Sequence, residues 1–355
     1  MKKIRRLTDP MVRLLVLSLL AALLLSGLAS GAPQPVSDEV RGIIGLYEKN
    51  GDRLLIRERS GHLELLFATG GEQDQWLQHY AMYPLEKVDF HTYRLQAFSP
   101  LGQRQGTVRF HRDAGGWGVA LMVGNNEYTR QFFGPEKGQV FRIQPLMTAD
   151  ELRALTEKAE PPQKQGIFQL PDLVDVRTFD PTIRLDIRYA TTDNFMGMAL
   201  YDQPRAVLQR PAAKALAQAH WALEKYGYGI IVYDAYRPWS VTKMFWDATP
   251  QNMKMFVADP AQGSRHNRGG AVDVGLYDRR TGQIIPMPSG YDEFSLRAIP
   301  TYAGGTESEC WHRDLLRMVM EGEGFAVYAE EWWHFDYREW QAYPIMNVPF
   351  HEVGK

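Results

Sequence analysis

The texture of this chain changes once along its length, and that change limits what it can fold into. From about residue 38 to 147 it is a series of short alternating segments punctuated by glycine-containing turns. Leu54-Leu-Ile-Arg-Glu-Arg59 and His62-Leu-Glu-Leu-Leu-Phe67 flank Ser60-Gly61, a hairpin signal. Lys87–Tyr93, Gly106–His111 and Trp117–Val123 repeat the two-residue period, with Asn50-Gly51, Gly70-Gly71, Gly115-Gly116 and Gly124-Asn125 as punctuation. Short, evenly spaced strands predict an antiparallel barrel or sandwich. His62, His79, His91 and His111 are scattered through it without ligand-type spacing and read as strand residues.

Residues 148–166 form the break. Thr148 and Glu151 make a capping box for a helix running to Ala159, and Glu160-Pro-Pro-Gln-Lys-Gln-Gly166 is a polar, proline-rich linker. From 167 to 355 strands and helices mix, which predicts an α+β domain. Ile183–Tyr189, Gly229–Tyr233, Gly270–Leu276 and Glu331–Tyr337 read as strands. Pro211–Tyr226, stopped by Gly227, reads as a helix, as do Trp239–Ala248, with Ser240 as a cap, and Arg313–Glu323, ended by Gly324.

Composition narrows the chemistry. The chain has 355 residues and one cysteine, Cys310, so a disulfide framework and a multi-thiolate metal site are excluded. Any metal must be held by histidine and carboxylate. The net charge of −2 argues against nucleic-acid binding. Residues 1–32 carry a basic start (Lys2, Lys3, Arg5, Arg6), an apolar run from Leu14 to Leu28 and small residues to Ala32. That is the pattern of an export signal, which predicts a periplasmic or secreted protein with no stable membrane span after cleavage. An uncleaved anchor is the other reading of the same run. No cysteine stands where a lipid anchor would need one.

Three segments concentrate reactive side chains. In Ser264-Arg-His266-Asn-Arg-Gly-Gly-Ala-Val-Asp273, the strand period puts Asp273 on the face opposite Val272 and Val274, and Gly269-Gly270 lets a turn carry His266 back towards it. An imidazole and a carboxylate converging this way suit Zn²⁺; alone, a turn beside a hydrogen-bonded Asp fits as well. Glu330-Glu331-Trp-Trp-His334-Phe-Asp336 offers a second histidine and a carboxylate three residues before it. In an unbroken strand Glu331 and His334 would point to opposite faces, so joint action requires a kink. Core tryptophans with a surface Glu are the plainer reading. Tyr233-Asp234-Ala-Tyr236-Arg237-Pro238 follows a buried strand and projects an arginine suited to a developing oxyanion, or to a structural pair with Asp234.

Together these segments resemble the zinc-dependent D-alanyl-D-alanine dipeptidases, the vancomycin-resistance type, in the order Asp234-Ala-Tyr-Arg-Pro238, Ser264-x-His266-x-x-Gly269-x-Ala271-x-Asp273 and Glu331-Trp-Trp-His334. Arg188-Tyr-Ala-Thr-Thr-Asp-Asn-Phe-Met-Gly197 is similar to the family's opening stretch, and the likeness covers about residues 170–340. It implies a zinc D,D-peptidase-like α+β domain, with a mixed or antiparallel sheet and flanking helices, behind an all-β accessory domain. It also implies one Zn²⁺ on His266, Asp273 and His334, Glu331 as general base, Arg237 stabilising the transition state and Ser264 holding substrate. The implied reaction is hydrolysis of D-Ala-D-Ala by a zinc-bound water. A D,D-carboxypeptidase acting on longer peptidoglycan stems or fragments would use the same metal site, and a non-enzymatic zinc-containing wall-binding protein would lack the base. Pro286-Met-Pro-Ser-Gly-Tyr291-Asp292 departs from the family pattern ahead of its aromatic-Asp pair. No HExxH motif is present, since Lys355 stands where His351-Glu352 would need the second histidine.

Overall fold

A computed structural model describes residues 31–68, 80–96, 106–134, 140–163 and 165–354; the export pattern of residues 1–32 lies almost wholly outside them. The alternating region is a closed antiparallel barrel of eight strands: β1 (Gly45–Lys49), β2 (Asp52–Arg59), β3 (His62–Ala68), β4 (Tyr80–Lys87), β5 (Thr92–Leu95), β6 (Gly106–Arg112), β7 (Gly118–Val123) and β8 (Asn126–Gln131). β8 closes on β1 through Leu46 opposite Gln131. Leu54, Ile56, Leu65, Val108 and Leu121 point inward, and Tyr47 and Tyr93 pack edge-on against Phe110. Side chains therefore fill the interior, as in small barrels generally. Lys87–Tyr93 is not one strand. Asp89 Oδ1 accepts the backbone N–H groups of His91 and Thr92 at 2.8 Å each, and this turn ends β4 and starts β5.

Outward residues of β2 and β3, together with Glu58 near the end of β2, dock the barrel. Leu55 and Leu66 pack on Tyr302, Arg59 donates to the carbonyls of Ala303, Gly304 and Gly305, and Glu58 accepts the N–H of Glu307 at 3.0 Å. Cys310 is buried at the same contact, its thiol on the Gly304 carbonyl.

The second half holds short β9 (Leu173–Asp175) and β11 (Val207–Gln209), which pair with each other, and a five-stranded sheet. Its strands are β10 (Arg184–Leu185), β12 (Tyr228–Asp234), β13 (Ala271–Asp278), β14 (Phe325–Tyr328) and β15 (Glu331–Tyr337), in the order β10-β12-β13-β15-β14. Only β10 runs parallel to its neighbour. The capping box places α2 at Ala149–Thr156, after a short α1 (Asp38–Arg41); α3 (Arg210–Ala222), α4 (Trp239–Ala248) and α5 (Glu307–Gly322) follow. Val272, Val274 and Leu276 share one core with Leu216, Leu315 and Leu316, so burial of this β13 face leaves Asp273 on the opposite one.

Further boundaries differ from the sequence reading: the helix expected to reach Ala159 ends at Thr156, and the one expected over Pro211–Tyr226 ends at Ala222 with a separate 3-10 turn at Glu224–Tyr226. Within Ile183–Tyr189 only two residues pair in the sheet, and Arg188–Ala190 winds into a 3-10 turn that aims the Tyr189 hydroxyl at Asp292. Ser240 does not cap α4: the helix starts at Trp239, and the Ser240 N–H donates to Asn347 Oδ1. α5 begins six residues ahead of Arg313, where Thr306 and Glu309 form a second capping box.

Candidate metal centre

Asp273 and His334 stand opposite each other on adjacent strands, and a 3-10 turn over His266–Arg268 lays His266 above them. Gly269 ends that turn at φ +64°, a left-handed conformation that favours glycine. Buried Asn267 locks the loop: its side chain accepts the Ser264 N–H and donates to the Arg237 carbonyl and the Thr242 hydroxyl. Two of the three motifs are thereby tied to each other.

His266 Nε2, His334 Nδ1 and Asp273 Oδ1 form a triangle with sides of 3.0, 3.1 and 3.4 Å. All three residues are buried. Bonds of about 2.0–2.1 Å to a tetrahedral ion would place ligand atoms about 3.3 Å apart, so the donor set fits zinc. Asp273 Oδ1 is buried without a hydrogen-bond partner, which is costly unless a cation satisfies it. Burial pushes Asp273 up, but the two imidazoles outweigh it and hold its carboxyl well below the usual range. Burial alone would pull His334 down; Asp273 and Asp336 outweigh it and hold the imidazole up at about 10.

Glu331 and His334 converge in spite of their odd spacing. Val327 pairs with Phe335 but Tyr328 with Glu331, so β15 bulges by three residues against β14. The bulge brings Glu331 Oε2 within 3.7 Å of His334 Nδ1. Burial raises the Glu331 carboxyl to about 7, countered in part by His334. Arg237 is held by Asp234, whose Oδ2 accepts from Nε at 2.9 Å and Nη2 at 2.8 Å, and its guanidinium lies 3.9 Å from Asp273 Oδ2. Tyr189 and Phe245 face that guanidinium at 5.2 and 4.7 Å. Ser264 also lines the cleft, its Oγ accepting the His266 N–H at 3.2 Å. The six residues selected from the sequence therefore share one cleft of about 610 Å³. A larger cavity, about 790 Å³, lies between barrel and sheet and contains none of them.

Three neighbours were given no role by the sequence reading. Tyr291 donates to Asp273 Oδ2 at 3.0 Å. Asp292, at φ 57°, accepts from the Tyr189 hydroxyl, and burial together with the Asp273 charge raises its carboxyl well above the usual range. Asp336 Oδ1 stands 3.0 Å from His334 Nε2. The period of two puts Asp336 on the His334 face, so that signal was present; the loop holding Tyr291 and Asp292 has no such period.

A family model described as D-ala-D-ala dipeptidase matches residues 170–353. Among curated proteins, a D-alanyl-D-alanine dipeptidase of Escherichia coli K12 is 35% identical over 179 residues, covering 50% of this chain and 91% of that protein. One from Enterococcus faecium is 34% identical over 189 residues, covering 47% and 92%. One from Enterococcus faecalis is 33% identical over 174 residues, covering 43% and 85%. Among the described residues no helix is long and apolar enough to cross a membrane.

Proposed function

The chain belongs to the D-alanyl-D-alanine dipeptidase family, a family of peptide hydrolases, and from that premise we propose that it is an exported zinc peptidase that cleaves D-Ala-D-Ala. The observation that carries this reading is the 3.0–3.4 Å triangle of two imidazole nitrogens and an orphaned carboxylate oxygen, with Glu331 and Arg237 beside it. His266, Asp273 and His334 would hold the ion, leaving an open position. Bound there, zinc would supply a Lewis acid and bring a water's pKa towards 7.

The protein's own groups do the rest. Glu331, with a carboxyl near 7, takes a proton from the attacking water and returns it to the leaving amine nitrogen as the amide C–N bond breaks. Arg237, fixed by Asp234, donates to the carbonyl oxygen as negative charge develops on it. Ser264 orders the His266 loop and offers its hydroxyl to substrate. Residues 1–32 would direct export, 38–147 form an accessory domain, 148–166 a linker and 167–355 the catalytic unit.

One observation favours longer substrates as a second reading. A cleft of about 610 Å³ is of the size that takes drug-sized ligands, well beyond a dipeptide of about eleven heavy atoms. Peptidoglycan stems ending in D-Ala-D-Ala would then be substrates too.

The test is Glu331→Gln, assayed for bound metal and for alanine release from D-Ala-D-Ala and from a D-Ala-D-Ala-terminated pentapeptide. We expect one zinc per chain and a fall of ~10²–10⁴ in kcat. Turnover within a few-fold of wild type, or full activity after zinc is stripped, would refute the assignment; release from the pentapeptide alone would favour the second reading.

A further inference from the structure

We propose that Asp336 is a positioning residue for the candidate metal centre, fixing the His334 ring so that Nδ1 faces the triangle, and that Arg265 fixes Asp336 in turn. The inference rests on the metal reading above. Asp336 Oδ1 lies 3.0 Å from His334 Nε2, and Asp336 Oδ2 lies 3.0 Å from Arg265 Nε, an ion pair whose N–H does not point straight at the oxygen. The Asp336 side chain is 14% exposed. The Arg265 guanidinium lies over the rings of Tyr328 and Trp340, at 5.0 and 5.3 Å, which limits its freedom.

The sequence positions give this pair its meaning. Arg265 directly precedes His266, and Asp336 follows His334 by two residues on the same strand face. One ion pair therefore clamps together the two backbone segments that carry the imidazoles. Each imidazole also has an acceptor at the nitrogen turned away from the triangle. For His266 it is a neutral carbonyl, Ala235 O, at 2.7 Å from Nδ1. For His334 it is the Asp336 carboxylate. An acceptor there requires N–H at that nitrogen and leaves the lone pair of the other facing the triangle. The two rings present opposite nitrogens, Nε2 and Nδ1, so neither tautomer can be left to chance. A carboxylate partner also makes the ring a stronger donor, and removing such partners generally costs 10–100-fold in metal affinity.

The experiment measures zinc affinity by competition with a chromogenic chelator, and thermal unfolding of the metal-stripped protein, for wild type, Asp336→Ala, Asp336→Asn and Arg265→Met. Asp336→Ala should weaken zinc binding ~10–100-fold while the melting point of the stripped protein stays close to wild type. Asp336→Asn, which can still accept through Oδ1 but carries no charge, should fall between wild type and Ala. Arg265→Met should weaken binding less, and should add little when combined with Asp336→Ala, because it acts through that carboxylate. Zinc affinity of both Asp336 variants within about twofold of wild type overturns the inference alone, as does full additivity with Arg265→Met. A wild-type protein that takes up no zinc overturns the metal reading and this inference with it.

Discussion

Replacing Asp234 by asparagine should be among the most damaging isosteric changes available to this protein. Asp234 is fully buried and every acceptor site of its carboxylate is used. Oδ1 accepts from the Tyr201 hydroxyl at 2.6 Å and the Ala235 N–H at 2.9 Å, and Oδ2 accepts from Arg237 Nε and Nη2. Asparagine has one oxygen. Whichever way its amide turns, an NH₂ group meets either the two Arg237 donors or the Ala235 N–H and the tyrosine. Turned with oxygen towards Arg237, it leaves the Ala235 N–H orphaned at ~1–3 kcal/mol. In either orientation the Arg237 charge, 8% exposed, loses its hydrogen-bonded counter-ion and keeps only the more distant Asp273 carboxylate, 3.9 Å away. Breaking a buried pair by removing one partner costs ~3–5 kcal/mol, so Asp234→Asn should lose about that much. Arg237→Met removes the charge as well, and the double variant should therefore be more stable than the two single losses predict, by ~2 kcal/mol or more. Equilibrium denaturation in urea across the four proteins measures this. A loss below ~1 kcal/mol with an additive cycle would show that Asp234 does not stabilise Arg237, and would undercut the argument that Arg237 is preorganised.

Two further changes test the frame around the site. His220 Nδ1 accepts the Ile230 N–H and Nε2 faces the Thr182 hydroxyl, so a second ring proton has no acceptor; burial and the Arg279 charge pull the imidazole down to about 4. The unfolded chain, with histidine near 6.5, binds more protons in between, so stability should fall by up to ~3 kcal/mol as pH drops from 6.5 to 4. His220→Gln should flatten that slope in urea midpoints taken at pH 7, 5 and 4, and an unchanged slope would sink the assignment. Gly275→Ala would put a methyl 2.6 Å from the Tyr233 hydroxyl and about 3.0 Å from its ring, which is stacked at 4.8 Å on Tyr291; overpacking of ~1–3 kcal/mol should appear as a lowered Tm, and a Tm equal to wild type would show that the tyrosine pair gives way freely.

What was legible in the sequence was regular. The two-residue period around Ser60-Gly61 and along Ala271–Leu276 survives in the barrel and in β13, and the Thr148–Glu151 capping box stands where local chemistry put it. Such patterns work because each side chain's direction follows from its neighbours on the same segment. The period failed over Ile183–Tyr189, where alternation is present but only two residues find a partner strand. It was silent over Pro286–Asp292, whose tyrosine and aspartate are aimed by a left-handed residue rather than by a period.

The same division runs through the candidate site and explains why it was found in pieces. Asp273 and His334 lie on paired strands, and their facing follows from counting residues. His266 sits on a 3-10 turn, Arg237 just beyond the end of β12, and Glu331 at a bulge that depends on how β14 pairs. Regular strands alternate and so cannot aim residues three apart at one point; only a break in regularity can bring Glu331 to His334. A site that needs a base beside a metal ligand on the same strand therefore has to include a bulge, and a bulge is set by the neighbouring strand. The Glu331–His334 spacing could thus state the need for a kink without locating it. On the proposed mechanism β14 is then part of the chemistry: a substitution that straightened the Val327–Tyr328 register would turn Glu331 away from His334 while leaving the His266, Asp273 and His334 triangle in place.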